Sequence, residues 1–391
     1  MIKIGKVFLL LLGTLTIIAC SAGEIATVAR VASTGSPASV KRMAIEKAMR
    51  YAVTPEALTR DMKRFNTLVD RFRKAIAQVW GKKETRESSP TEYVKYTQNY
   101  RSRATVDFDR GIVTVETIAE KNPLQSLRNA IVTTLLTPND PRAVDLYSDR
   151  KITLGKEPFL LGEIKDVDGQ DIRWNWRAER FARELIEKDL KTRAVLDNGT
   201  SHLVRFVEIE MVSDHLEIRA GKYKPLVDRY AKEYALSGNL VYAIIKTESN
   251  FNPYAVSTAP AFGLMQIVTS TAGSDVHRLL TNKKGSPSRE FLFDPENNIR
   301  YGCAYLHILS SRYLKDIEDP INKEYCIIAA YNAGAGEVLR TFDSDRNRAP
   351  DRINMLKPLD VFETIQTQIA KEEARRYLVK VVNAKKEFVN Y

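Results

Sequence analysis

Little in this chain can hold a metal or build a disulfide framework: among 391 residues there are three cysteines and four histidines. His202, His215, His277 and His307 share no ligand spacing and form no H-E-x-x-H pair, which argues against a metal site, and no cofactor is expected. Cys303 and Cys326 sit inside the apolar helical patterns YGCAYLHIL and EYCIIAAY, where free thiols pack as small core residues; two buried thiols are favoured, with a disulfide in an exported chain as the alternative, and two cysteines make no framework. Long apolar runs are also missing. The uncharged stretch Val7–Ala19 is too short to cross a bilayer as a stable helix, but it suits a signal-peptide core behind the lysines of MIKIGK. No period of about 20 to 50 residues recurs, so the chain is not a solenoid. The first half has no glycine-rich phosphate loop, no His/Cys cluster and no nucleophile elbow.

What is present begins with charge. Lys and Arg number 60 against 49 acidic residues, a formal net charge of +11, two lower once Lys3 and Lys6 leave with a signal. Such a surface meets anionic polymers or lipid headgroups. Export argues against nucleic acid, and the charge is spread along the chain, as a solvated surface also would be. TIIAC, ending on Ala19-Cys20, resembles a bacterial lipobox with Ile17 where the pattern usually has Leu. That resemblance implies cleavage before Cys20 and acylation of it. Ser21, rather than Asp, follows, which points to the outer membrane. A plain secretory signal with an incidental cysteine is the alternative. The N-terminus thus divides into a signal over 1–19 and a tether over 20–38, small and weakly patterned, with a reach of roughly 20–25 Å.

Residues 39–213 carry an α+β pattern. Thr54, Pro55 and Glu56 read as cap, first-turn proline and first-turn acid. Met62, Phe65, Val69, Phe72, Ile76 and Val79 then form one stripe, opposite Arg60, Lys63, Arg64, Arg71 and Lys74. The stripe packs on a sheet or, less in keeping with the strands after it, lies on lipid. TEYVKYTQNYRSRATVDFD and GIVTVETIAE predict strands joined by a short loop at Asp109–Gly111. NPLQSLRNAIVTTLLTPNDPR predicts a helix, KEPFLLGEIKDVDGQDI a hairpin turning at Asp168-Gly169, RWNWRAERFARELIEKDL a charged helix and HLVRFVEIEMV a strand. Over 214–391 the strand signals stop and every pattern is helical, with Asp294, Pro295 and Glu296 as a well-formed start.

LVYAIIKTESNF, residues 240–251, sets the functional question. Val241, Ile244, Ile245 and Glu248 fall on one helical stripe. Glu248 either turns into solvent where Asn252-Pro253 break the helix, or stays half-buried against isoleucines that disfavour its ionised form. An acid kept protonated near neutral pH can protonate a glycosidic oxygen. Its neighbours fit a saccharide. Phe251 and Tyr254 offer stacking faces, Ser257 a hydroxyl that can return toward the acid, Gly263 a close backbone approach, and Gln266 an amide that donates and accepts. Tyr331 and Asn332 end a helix before Gly334 and Gly336, which allow a tight turn.

TESNFNPYAVS, FGLMQI, AYNAGAG and EARRYL, in this order, resemble the catalytic domain of the goose-type-lysozyme-like soluble lytic transglycosylases (SLT, family 1). GKYKPLV, SPSREFLFDP and the lipoprotein-like N-terminus resemble a membrane-bound branch of that family. The match covers about 170 residues, with weaker likeness before it. The resemblance implies an α+β N-terminal domain followed by an all-α lysozyme-like catalytic domain over 214–391. The implied protein is an enzyme, lipid-anchored at the outer membrane and facing the periplasm. It implies non-hydrolytic cleavage of the MurNAc–GlcNAc β-1,4 bond of peptidoglycan strands to 1,6-anhydro-MurNAc ends. Glu248 would be the catalytic acid and base, with Gln266, Tyr331, Ser257 and Asn332 binding sugar. Tyr377 of EARRYL would lie near the site or simply pack. The departure is Ala261-Phe262, where the bulky Phe262 is expected to reshape a subsite. No second Asp or Glu lies between Glu248 and Ala272, so a single acid is the economical reading. The competing functions are a muramidase that uses water and a non-catalytic glycan-binding lipoprotein.

Overall fold

The computed structural model describes residues 52–155, 157–197 and 200–391. The signal segment, Cys20 and the tether lie outside the described residues. After a short strand β1 (Ala52–Val53), the chain enters the 26-residue helix α1 (Pro55–Trp80). Its start is chemically specified. The Thr54 hydroxyl accepts from Ala57 N at 3.2 Å and Pro55 sets the first turn, while Gly81, at φ 84°, ends the helix. The expected stripe is the buried one, through Phe65, Phe72 and Ile76, with Leu58 and Trp80 extending it. The cations opposite stay exposed.

Five antiparallel strands come next: β2 (Glu92–Thr97), β3 (Ser102–Asp107), β4 (Ile112–Thr117), β5 (Lys191–Asp197) and β6 (Thr200–Glu210), in the order β2-β3-β4-β6-β5. The run read before Asp109 is two strands, folded back at Gln98, Asn99 and Tyr100, which all have positive φ. β5 escaped the sequence reading. Between β4 and β5 lie α2 (Pro123–Leu135) and α3 (Asn175–Asp189). Alternation along β2 serves two layers. Val94 and Tyr96 join Phe72, Ile76 and Trp80 of α1 in one core, whereas Tyr93 and Lys95 line a small cavity with Ala130, Thr133 and Thr134 of α2. The hairpin expected over 156–172 reduces to isolated bridges, Leu161 with Ile164 and Lys165 with Asp171. The turn itself falls at Asp168-Gly169 as expected, with Gly169 at φ 71°, and the Asp166 carboxylate braces it by accepting from the backbone N–H of Asp168 and Gln170.

The helical half runs through α4 (His215–Gly221), α5 (Lys224–Glu233), α6 (Gly238–Ser249), α7 (Ala272–Thr281), α8 (Arg289–Leu292), α9 (Pro295–Ile308), α10 (Pro320–Ala333), α11 (Ala335–Phe342), α12 (Ala349–Asn354), α13 (Pro358–Gln368) and α14 (Glu372–Glu387). Asp294 caps α9 as expected, accepting from Asn297 N at 3.1 Å. The helical half is not purely helical: β7 (Ala261–Phe262) pairs with β8 (Ile267–Val268), and β9 (Ser286–Pro287) pairs with β1. Cys303 and Cys326 are free and buried. Both halves belong to one compact unit. No helix among the described residues is long and apolar enough to cross a membrane.

Candidate active site

Helix α6 is buried over Leu240–Ile245, because it runs through the middle of the helical half rather than along its surface. Glu248 lies in its last turn and is half-buried. Tyr377, a buried side chain of α14, donates its phenol hydrogen to Glu248 Oε1 at 2.7 Å. Oε2 accepts no hydrogen bond, and no cation pairs with the carboxyl, among the described residues. Burial pushes the Glu248 carboxyl up to about 8. The Tyr377 bond pulls it down and the Glu373 charge pushes it up, both by less than burial. Burial and the nearness of Glu248 together hold the Tyr377 and Tyr331 phenols protonated, well above the usual range.

A loop from Ser249 to Ile267 folds around this acid. The Ser249 hydroxyl donates to Ile245 O at 3.0 Å and Leu264 O at 2.7 Å. Asn298 of α9 accepts from Met265 N and donates to Phe262 O and Leu292 O. Tyr331 of α10 donates to Met265 O at 2.8 Å. Gln266, at φ 45°, spends its amide N–H groups on Ala255 O and Gly263 O, while its buried Oε1 has no partner. Its donors are already used within the loop.

The structure thus brings Glu248, Tyr377 and Tyr331 together, with Gln266 on the loop that Tyr331 holds. Asn332 donates to the exposed Glu373 at 3.2 Å. Four sequence expectations need correction. Phe251 and Tyr254 are fully buried, so neither can stack on a sugar. The Ser257 hydroxyl does not reach the acid: it donates to Ala259 O and accepts from Ala261 N, bracing its own turn. The close approach at Gly263 is internal: a Cβ there would meet Asn298 Nδ2, and Leu292 O at 2.7 Å. Phe262 lines no subsite either; its buried ring meets Phe65 of α1 at 5.8 Å and Phe293 at 5.6 Å. Of the paired glycines, Gly334 makes the turn at φ 89° and Gly336 lies inside α11.

Sequence reasoning missed Ser249, Asn298 and Glu373. Ser249 was legible as a hydroxyl directly beside the acid on a helix end. Asn298 and Glu373 carried no local signal. The Tyr331 ring meets Tyr305 edge-on at 5.6 Å, and Tyr305 opens onto a groove of about 770 Å³ lined also by Tyr313, Asp275, Arg346 and Asn347. A carboxyl that burial holds toward its protonated form, with a phenol on one of its oxygens, can donate a proton and take one back.

Comparison with known proteins adds two matches by family. Residues 58–222 match the membrane-bound lytic murein transglycosylase C N-terminal domain, and residues 225–354 match the transglycosylase SLT domain. A membrane-bound lytic murein transglycosylase C from Yersinia pestis (strain Pestoides F) is 47% identical over 340 residues, covering 87% of this chain and 94% of that protein. Its counterpart from Yersinia pseudotuberculosis serotype O:1b (strain IP 31758) matches equally. Among solved structures, the 70 kDa soluble lytic transglycosylase of Escherichia coli is 27% identical over 45% of this chain, with a TM-score of 0.35. This chain spans 26% of that protein, and the likeness is too partial to bear on the fold.

Proposed function

The chain belongs to the membrane-bound lytic murein transglycosylase C family, and on that premise we propose how it cuts peptidoglycan and where it is held. It is a peptidoglycan lytic transglycosylase, a lyase acting on the glycan strand. Glu248 is the one group that moves the proton. With Tyr377 occupying Oε1, the acid proton sits on Oε2. It passes to the glycosidic oxygen of a MurNAc–GlcNAc β-1,4 bond, the C1–O bond breaks, and positive charge develops at C1. The carboxylate left behind keeps the Tyr377 hydrogen bond. It then takes the proton of the C6 hydroxyl of the same MurNAc while O6 bonds to C1. The product is a 1,6-anhydro ring, Glu248 is protonated again, and no water is consumed. Carrying both reacting groups in one sugar removes the entropic cost of recruiting a second molecule.

The observation that carries this reading is the setting of Glu248: a carboxyl withdrawn from water, with one phenol for a partner and no cation. Gln266 and Tyr331 orient the saccharide beside the acid, and Asn332 with Glu373 forms the rim of the cleft. Ser257 contributes through the loop it braces. Acylation of Cys20 tethers the enzyme to the outer membrane with the cleft facing the periplasm.

The test is Glu248→Gln on purified sacculi, read by mass spectrometry of released muropeptides. Loss of at least ~10³-fold in anhydro-muropeptide release with unchanged folding is expected. Undiminished release ends the assignment. Products carrying a reducing end from the unmodified enzyme would replace it with a hydrolytic muramidase, and binding without solubilisation would replace it with a glycan-binding scaffold. Mass spectrometry of the mature N-terminus checks the anchor, and an unmodified Ser21 as first residue overturns it.

A further inference from the structure

We propose that the α+β half is a working part of the catalytic centre, because it clamps the end of α6 through Asn250 and so positions the carboxyl of Glu248. This rests on Glu248 being the acid. The clamp begins as a backbone problem. Asn250 has φ 48° and Phe251 φ 60°, two consecutive left-handed residues immediately behind the acid, and the second carries a bulky side chain. Such conformations persist only where their surroundings over-determine them. Here the partners of the Asn250 amide come from the other half of the chain, and its carbonyl is held by Arg219 of α4, itself tied to Glu163 of that half. Asn250 Nδ2 donates to Phe108 O at 2.8 Å and to Asp109 Oδ1 at 3.1 Å, both in the turn between β3 and β4. Asn250 O accepts from Arg219 Nε at 2.9 Å. Arg219 is buried, lies 4.5 Å over the Phe108 ring, and bonds Glu163 Oε2 at 2.5 Å through Nη1. Two further anchors lie just beyond. Asn252 Nδ2 donates to Pro90 O at 3.0 Å, and the Tyr254 hydroxyl donates to Pro138 O while its ring packs on Tyr93 at 4.9 Å and Phe159 at 5.2 Å.

Three side chains within five residues therefore end on main-chain carbonyls of the α+β half. Asn250 N in turn closes the last turn of α6 onto Lys246 O at 2.8 Å, so the strain is held one turn from the Glu248–Tyr377 bond. A misplacement of about 1 Å at a reacting group can cost around 10²-fold in rate. The groups facing Glu248 are Tyr377 and Glu373 from α14 and Tyr331 from α10. None of these touches the clamp, so the α+β half acts on the acid through backbone alone. Asn250 and Arg219 are positioning residues.

The experiment uses the full chain with Asn250→Gly, which tolerates the left-handed backbone but removes the amide. The expected result is a kcat on sacculi lowered about 10- to 100-fold, KM within about twofold, and an alkaline limb of the kcat profile moved to lower pH as water reaches the carboxyl. Arg219→Lys keeps a cation for Glu163 while giving up the guanidinium fork to Asn250 O. It moves both readouts in the same direction by less, and it replaces Asn250→Gly should that variant fail to fold. A profile and kcat unmoved in both, with only the melting temperature lowered, overturns the clamp and leaves ordinary packing between the halves. Activity lost in Glu248→Gln with an unmoved profile in the clamp variants overturns the clamp alone. Activity kept in Glu248→Gln overturns acid and clamp together.

Discussion

Glu163 in the α+β half and Glu248 in the helical half are both withdrawn from water, and their surroundings treat them in opposite ways. Glu163 is fully buried and receives two cations, Arg219 at 2.5 Å and Lys222 at 2.6 Å. A second pairing in the same half links Arg193 to Glu84 and Glu116, and Arg193's hydrogen bond holds Glu84 below the ordinary carboxylate range. Glu248 receives one neutral hydroxyl, and burial holds it above that range. A buried carboxylate with cations on it belongs to the architecture: its partners match its charge and it ties the elements together. A carboxyl with no cation among the described residues is held toward its protonated form by burial, at a cost in stability.

If that contrast is right, removing each group has a different signature. The largest effect is expected from Glu163→Ala, which leaves Arg219 and Lys222 uncompensated; a loss of about 3–5 kcal/mol should appear in denaturant unfolding. Tyr377→Phe removes the one side-chain hydrogen bond that Glu248 has among the described residues. A rate loss of about ten- to a hundredfold is expected, since hydrogen bonds to charged groups are worth about 1.5–3 kcal/mol. That bond lowers the carboxyl's pKa, so its loss moves the alkaline limb of the kcat profile to higher pH, opposite to the direction expected of Asn250→Gly. A pH-dependent effect is expected in the stability of Glu248→Gln. The folded carboxyl titrates near 8 against an ordinary 4.5, so between those values the native state binds more protons than the unfolded one, and wild-type stability falls as pH rises. The variant lacks this slope. Its melting temperature should therefore match the wild type near pH 4.5 and exceed it increasingly toward pH 8; parallel curves would remove the claim that Glu248 is held against its preference. The smallest effect is expected from Arg376→Ala, whose exposed pair with Glu372 spans 2.7 Å on the surface of α14. A change within about 0.5 kcal/mol by thermal melting is the control, because screened surface pairs contribute little.

The parts legible in the sequence are those whose cause is local. Thr54-Pro55-Glu56 and Asp294-Pro295-Glu296 start helices because capping acts within three residues. The stripe of α1 read correctly because a helix repeats its contacts every turn. What failed to read depended on distant partners. The strand β5 lacks a strong alternating pattern and is recruited by β6, which inserts between it and β4. Phe251 and Tyr254 looked like sugar platforms because an aromatic beside a catalytic motif carries no mark of which way it faces; Tyr223, Tyr242 and Phe388 decide it for Phe251, and Tyr93, Phe159 and Pro138 of the other half decide it for Tyr254. Phe262 looked like an altered subsite for the same reason, until Phe65 of α1 was found against it.

By itself the sequence determined that an acid sits on the apolar face of a helix end, that no second acid stands within the motif beside it, and that the blocks around it keep a transglycosylase order. These are statements about residue type and spacing, which a linear chain carries in full. Only the tertiary structure decided that Tyr377, 129 positions away, supplies the partner of that acid, that Gln266 uses its donors within its own loop, and that the turn after Glu248 is fastened to the α+β half. Hydrogen bonds and desolvation depend on which groups meet in space, and spacing along the chain does not specify that.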